Sequence, residues 1–203
     1  MRERRGRAVA SAVFWVVVLV ALTACSDGGG GDDAGDDGVP PPTGLGDESG
    51  CLTDGSTVAR EGTEAPDAVL LTDVDVSEEG FCDRVRFEFE SLGPADLPPY
   101  YTAEYQTGPF VDPETEDEVE VGGDAYLVIT FTQTLSVDIR DPQGPPTYLG
   151  DEVIQPSGLN ALQEARLLSE VDGTMQWIIG LSSERPFVVD GASRPSRVIV
   201  IIG

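Results

Sequence analysis

Residues 83–90, DRVRFEFE, contain an unbroken alternation of charged and apolar side chains from Arg84 onward. One face of this stretch carries Val85, Phe87 and Phe89, and the opposite face carries arginines and glutamates. Successive side chains of a β-strand point to opposite sides of the sheet. The pattern therefore predicts a strand that buries one face and exposes the other.

The sequence on both sides of this strand contains further short apolar stretches separated by turn residues. Val69, Leu71, Val74 and Val76 predict a preceding strand whose alternation slips once, as it does at a β-bulge. Further strands are expected near 101–105, 125–132, 174–181, 186–189 and 197–202. Many short strands with turn signals between them are typical of an all-β sandwich, and we expect about eight strands.

Three features predict how these strands are arranged. The stretch 125–132, AYLVITFT, is apolar on both faces, which favours a central strand. The stretch 197–202, RVIVII, is expected to be central as well, because an exposed edge of that composition would aggregate. Asp172 and Gly173 lie between two apolar stretches and predict a tight hairpin.

One region departs from the strand pattern. Leu159, Leu162 and Ala165 recur at helical spacing, and Ser157 is a suitable helix cap. We therefore expect a turn of helix around 157–163 that runs into a strand.

The amino-terminal residues have the layout of a secretory signal peptide. Residues 1–7 are basic, and 8–24 form an apolar stretch that is short for a permanent membrane span, which is the alternative interpretation. Residues 22–25, Leu-Thr-Ala-Cys, resemble the lipobox of bacterial lipoproteins. The resemblance implies cleavage before Cys25 and acylation of its thiol, and two or three acyl chains would hold the protein to a membrane.

The chain divides into four predicted parts. The signal peptide spans 1–24, and the lipidated cysteine with a Gly/Asp/Pro-rich linker spans 25–50. Such a linker cannot bury enough apolar surface to become ordered, so we expect disorder. A lead-in spans 51–65, and the β-sandwich spans 66–203.

Composition excludes several classes of function. From residue 26 onward the chain has 36 acidic residues and 8 arginines, a formal net charge of −28, which repels nucleic acid. The chain has neither histidine nor lysine, so Ser-His-Asp, Cys-His and Schiff-base chemistry is closed to it. We expect a protein that is not an enzyme, with no catalytic residue, cofactor or metal site.

Two cysteines remain if Cys25 is acylated. An oxidising compartment would allow Cys51 and Cys82 to form one disulfide, which would close a loop of about 30 residues. The alternative is two isolated thiols. No CxxC spacing exists to indicate a redox motif or a zinc site.

Four segments occur in an order that resembles the AMIN-like domain of lipoproteins from high-GC Gram-positive bacteria. They are GFCDRVRFEFE, GDAYLVITF, WIIGLSSERPFVV and PSRVIVII. The matching positions are Gly80, Phe81, Asp83, Arg84, Val85, Trp177, Gly180, Leu181, Arg185, Pro186, Phe187, Pro195 and Arg197. The likeness covers about 66–203, but Cys82 interrupts the first segment and 133–160 matches poorly.

The resemblance implies a fold and a type of function. AMIN domains proper are β-sandwiches that bind peptidoglycan and localise envelope proteins, whereas the AMIN-like group has no settled activity. We therefore expect a lipid-anchored protein on the outer face of the cytoplasmic membrane that acts as a binding or scaffolding module, with peptidoglycan as a candidate ligand. The alternatives are docking of another envelope protein through the exposed sheet and hydrolysis of the cell wall by a carboxylate pair.

Glycan recognition commonly uses aromatic faces, carboxylates and amides, and an arginine can bind a carboxylate of a peptide stem. The candidate ligand contacts are Tyr100, Tyr101, Tyr105, Trp177, Arg84 and Arg86. The alternative is that alternate rings belong to the core and the others are ordinary half-buried strand residues. In that case the arginines, like Arg197, pair with acids on neighbouring strands.

The acidic stretch 112–120, DPETEDEVE, has two conceivable uses, as calcium ligands or as a glycosidase acid and base. It lacks EF-hand spacing, and nothing places two of its acids across a cleft. We therefore expect a solvated loop.

Overall fold

The computed structural model describes residues 52–62 and 67–203, which belong to the second of two units in the chain, Leu45–Gly203. These residues form thirteen β-strands and no helix. The described part of the chain therefore contains no helix that is long and apolar enough to cross a membrane. The strands are β1 (Arg60–Glu61), β2 (Val69–Glu79), β3 (Cys82–Ser91), β4 (Tyr100–Gln106), β5 (Phe110–Val111), β6 (Glu118–Val119), β7 (Ala125–Thr132), β8 (Thr134–Leu135), β9 (Val153–Ile154), β10 (Leu162–Val171), β11 (Thr174–Leu181), β12 (Phe187–Ala192) and β13 (Ser196–Ile202).

The strands form two large sheets and one small one. The six-stranded sheet has the order β1-β4-β7-β11-β10-β9, and the five-stranded sheet has the order β12-β13-β3-β2-β8. Strands β5 and β6 pair with each other as a separate hairpin. The predicted all-β sandwich is confirmed: in the described part of the chain, eight strands have six or more residues and the other five have two residues each.

The core lies between the two large sheets and is built from the faces that the sequence pattern predicts. Val85, Phe87 and Phe89 of β3 are buried. The ring of Phe87 packs edge to face against Phe131 of β7 at 5.0 Å and against Trp177 of β11 at 5.6 Å between centroids. Because β3 and these partners lie in opposite sheets, the aromatic contacts join the two layers.

Several predictions about individual strands are confirmed. Strands β7 and β13 each have a neighbour on both sides, as expected for the most hydrophobic stretches. The register of β2 against β3 shifts between Leu71 and Asp73, where the alternation slips. Asp172 and Gly173 connect β10 to β11 and have φ values of 51° and 73°, the left-handed conformation that this tight turn requires.

The prediction of a helical turn around 157–163 is wrong. Residues 157–161 form an irregular connection, and β10 begins at Leu162. The physical reason is the buried carboxylate of Asp83, which accepts hydrogen bonds from the backbone N–H groups of Asn160, Ala161 and Leu162 at 2.9, 2.7 and 2.7 Å. Because these three N–H groups bond to a side chain that is distant in the sequence, they do not form the backbone hydrogen bonds of a helix.

Residues 107–123, which we call the arm, cross the outer face of the six-stranded sheet. The arm contains the β5–β6 hairpin, and its Phe110, Val119 and Val121 pack on the buried Val128 and Ile178 of the sheet. The acidic stretch 112–120 is therefore a hairpin rather than a free loop, although its charged side chains are solvated as expected, with only Asp112 partly buried.

A buried carboxylate and a glycine hold the arm in place. Glu164 of β10 accepts hydrogen bonds from Gln155 at 2.9 Å and Arg166 at 2.6 Å, and it also accepts one from the backbone of Gly122. A Cβ atom added to Gly180 of β11 would overlap the carbonyl oxygen of Gly122. The arm can lie this close because position 180 has no side chain.

Candidate functional site

Two of the aromatic residues predicted as ligand contacts lie in the core. Trp177 is fully buried, and its ring packs on Phe87 and, at 5.9 Å, on Tyr148. Tyr101 is only 6% exposed, and its hydroxyl donates to the carbonyl oxygen of Val189 at 3.2 Å. Neither ring offers a free face to a ligand, in agreement with the alternative interpretation of these two residues.

The other two predicted tyrosines lie near the surface but at opposite ends of β4. The hydroxyl of Tyr100 donates to Glu61 at 3.3 Å, and the negative charge of Glu61 raises the pKa of Tyr100. Tyr105 packs on Phe187 at 5.7 Å, and its hydroxyl donates to the backbone oxygen of Arg185 at 2.8 Å and accepts from its N–H at 2.9 Å. Burial raises the pKa of Tyr105.

The predicted arginines lie side by side on the outer face of the five-stranded sheet, where acids surround them. Arg84 forms ion pairs with Glu79 at 3.2 Å and Asp75 at 3.5 Å. Arg86 forms ion pairs with Glu88 at 3.3 Å and Asp73 at 3.9 Å. The charges of both side chains are balanced within the sheet.

Of the three cysteines, only Cys82 lies among the described residues. Cys82 is fully buried at the start of β3 and is engaged in a bond. Cys25 and Cys51 lie outside the described residues. The lipid anchor and the Cys51–Cys82 pairing therefore stay predictions.

A groove lies at one end of the six-stranded sheet and consists of two depressions that share Gly108 and Tyr126. The first, of about 390 Å³, is lined by Tyr105, Gln106, Thr107, Gly108, Asp124, Ala125, Tyr126, Ser182, Ser183 and Glu184. The second, of about 320 Å³, lies under the arm and is lined by Gly108, Pro109, Phe110, Glu118, Val119, Glu120, Val121 and Tyr126. We call the two together the end groove.

The strand register explains why these residues meet. Gln106 ends β4 directly opposite Tyr126 of β7, and Tyr126 is in turn opposite Gly180 of β11. Residues 182–184 follow the end of β11 and so emerge at the same level. The N–H of Asp124 donates to the carbonyl oxygen of Leu181 at 2.7 Å, which fixes the position of residue 124 in the groove.

Tyr126 occupies the junction of the two depressions and is itself held firmly. Its ring packs edge to face against Phe110 of the arm at 5.2 Å. Its hydroxyl donates to the carbonyl oxygen of Gly123 at 2.7 Å. The arm therefore supplies one wall of the end groove and also orients its central aromatic side chain.

The charged side chains that line the end groove are all acidic. Asp124 and Glu184 line the first depression, and Glu118 and Glu120 line the second. All four are exposed. Tyrosine rings, serine and threonine hydroxyls, an amide and carboxylates together form a polar surface with aromatic faces, which suits a hydroxyl-rich or amine-bearing ligand.

Of the ligand contacts predicted from the sequence, only Tyr105 lines the end groove. The sequence places Tyr126 in an apolar central strand, and Ser182, Ser183 and Glu184 lie between the strands expected at 174–181 and 186–189. The alternation of 125–132 already places Tyr126 on the face opposite Leu127, which is the signal that could have identified it. Among the described residues, no group of three or more cysteine, aspartate or glutamate side chains is arranged to hold a metal ion.

The family model of the AMIN-like domain matches residues 69–202. The chain belongs to the AMIN-like domain family. The match covers both large sheets of the sandwich apart from β1, and it includes the arm and the end groove of this AMIN-like domain. No curated protein and no solved structure matches the chain.

Proposed function

We propose that this AMIN-like protein is a non-catalytic binding module of the cell envelope and that the end groove holds a glycan of peptidoglycan. The observation that carries the proposal is the lining of the end groove, where Tyr105 and Tyr126 lie among hydroxyls, an amide and carboxylates. Sugar rings stack on aromatic faces, and their hydroxyls bond to such polar groups. Membership of the AMIN-like family supports an extracytoplasmic binding role.

Binding to insoluble peptidoglycan tests this proposal. Full-length protein in mild detergent should sediment with purified peptidoglycan sacculi at several salt concentrations. Ser183→Trp places a large side chain in the first depression and should reduce the sedimented fraction at least fivefold. Gln143→Trp is the control, because Gln143 is exposed in the connection that contains Arg140, which pairs with Glu90 near the far end of β3. Equal retention of both variants would show that the end groove is not the site.

We also propose that acylation of Cys25 anchors the protein to the outer face of the cytoplasmic membrane. The Leu-Thr-Ala-Cys motif after an apolar stretch supports this assignment. Cells that express the protein should incorporate a palmitate analogue into it, and Cys25→Ser should abolish the label. Persistent labelling of the Cys25→Ser variant would contradict the anchor.

Docking of another envelope protein is a second candidate function, with the outer face of the five-stranded sheet as the contact surface. Ile199 and Ile201 of β13 lie half-buried on this face, next to the ion-paired arginines Arg84 and Arg86. A photocrosslinker at position 199 in intact cells should capture a defined partner if this function is correct. Capture should fail when the crosslinker is placed at exposed position 114 of the arm, which packs on the outer face of the other sheet.

A further inference from the structure

We infer that the end groove selects glycans with free amino groups, of the glucosamine type, over their N-acetylated counterparts. The inference rests on the proposed function and specifies the chemistry of the ligand. It follows from the shape of the end groove, from its lining and from the charge of the surrounding protein.

The shape favours a linear ligand. The two depressions share the lining residues Gly108 and Tyr126, so a linear chain of sugar units that occupied both would pass Tyr126. Their combined volume is close to that of pockets for small organic ligands, which is about 300–1,000 Å³. The end groove is open to solvent at both parts, as a site for a polymer must be.

The lining determines which substituents fit. Asp124 and Glu184 bring two carboxylates to the first depression, and Glu118 and Glu120 are exposed on the arm beside the second. An ammonium group donates up to three hydrogen bonds and carries a positive charge, so it can pair with these carboxylates. An acetamido group is neutral and larger, and it gains no ion pair in the same position.

The surrounding charge acts in the same direction. The formal net charge of the chain is −25, so cationic ligands are concentrated near its surface and anionic ligands are repelled. The nearest arginine in sequence, Arg185, is not part of the lining, and it follows Glu184 at the rim. The aromatic rings and hydroxyls favour an amino sugar over a basic peptide, because stacking and hydroxyl recognition add to charge pairing only for a sugar.

Binding of defined oligosaccharides to the full-length protein in mild detergent tests the inference. A glucosamine hexamer should bind about tenfold more tightly than an N-acetylglucosamine hexamer at low salt, the effect of two exposed ion pairs. The difference should shrink as ionic strength rises and screens the charges. Hexalysine is the control for charge alone, and it should bind more weakly than the glucosamine hexamer.

Two matched double variants locate the effect. Asp124→Asn with Glu184→Gln should remove most of the preference for free amines while binding of the N-acetylated hexamer is retained. Asp151→Asn with Glu152→Gln removes the same number of charges from exposed positions before β9 and should keep the preference. Equal loss in both double variants would overturn the inference, because general attraction would then explain it.

The outcomes separate the inference from the proposed function. If both hexamers bind equally and Ser183→Trp blocks both, the glycan site stands and the selection of amines is wrong. If hexalysine binds as tightly as the glucosamine hexamer, the end groove recognises charge alone and the inference is wrong. If neither hexamer binds but the protein still sediments with sacculi, only the inference is wrong. If neither the hexamers nor the sacculi bind, both claims fail.

Discussion

The two outer faces of the sandwich satisfy their polar groups in different ways. On the five-stranded sheet, Arg84 and Arg86 pair with acids beside them, and in the described part of the chain this face stays open with both side chains partly exposed. On the six-stranded sheet, the arm covers Val128 and Ile178, and the buried Glu164 binds the arm through the backbone of Gly122. One face is balanced by exposed ion pairs, whereas the other depends on burial and on a buried carboxylate.

The two faces should differ in how much stability a substitution costs. Exposed ion pairs contribute little to stability because water and salt screen them. A buried carboxylate with several donors is far more sensitive, because removal of one partner leaves the others without a bond inside the protein. We therefore expect substitutions under the arm to be costly and substitutions on the open face to be nearly neutral.

The largest effect is expected from Gly180→Val, which breaks the contact between the arm and its sheet. The new side chain would overlap the carbonyl oxygen of Gly122, so either the arm or β11 must move. We expect a loss of about 3 kcal/mol in the free energy of unfolding, measured by urea denaturation. Amide hydrogens of the arm should also exchange faster.

Gly122→Ala is the matched control for this prediction. Its added Cβ would lie 3.4 Å from the nearest atom, Oε2 of Glu164, which is ordinary contact. The change in unfolding free energy should stay below about 1 kcal/mol. If Gly180→Val is as mild as Gly122→Ala, the arm does not depend on the bare backbone at position 180.

An intermediate loss of stability is expected from Glu164→Gln. The pH dependence of this loss tests whether the ionised carboxylate stabilises the arm. Burial raises the pKa of Glu164, but hydrogen bonds from Gln155 and Arg166 outweigh it and hold the pKa below its ordinary value of 4.5. The neutral amide cannot form the ion pair with Arg166. We expect a loss of about 2 kcal/mol at pH 7.

The pH dependence has a defined sign. Because the folded pKa of Glu164 is lowered, its contribution to stability is present above pH 4.5 and is lost as the pH falls through the folded value. Denaturation at pH 7 and at pH 3 should therefore show a smaller difference between wild type and Glu164→Gln at the lower pH. A difference that stays constant would mean that the ionised form is not what stabilises the arm.

The smallest effect is expected from Arg84→Met on the open face. Arg84 loses its bonds to Ser77 and Glu79, but all three side chains are partly or fully exposed to water. The unfolding free energy should fall by no more than about 1 kcal/mol, and the loss should vanish at high salt. A loss as large as that of Glu164→Gln would remove the distinction between the two faces.

The sequence predicts the sandwich well because its signals are local. The alternation in β3, the bulge in β2 and the turn at Asp172 are each visible within a few neighbouring residues. The central positions of β7 and β13 follow from their hydrophobicity alone. These features depend on which side of a strand each residue faces, and that is set by a period of two.

The features that could not be predicted depend on residues that are distant in the sequence. The helical spacing around 157–163 is real, but Asp83 binds the backbone donors there and prevents a helix. The sequence alone allows Trp177 to be a ligand contact, but its packing on Phe87 and Tyr148 places it in the core. The end groove likewise requires the register that brings Gln106, Tyr126 and residue 182 to one level.

The hydrogen bonds of Asp83 have a consequence for truncated forms of the protein. Asn160, the first residue whose backbone binds this carboxylate, follows it by 77 residues. A fragment that ends before residue 160 would leave this carboxylate without its three backbone donors at that end of β3. We therefore expect that end of the sandwich to close only when both halves of the polypeptide are present.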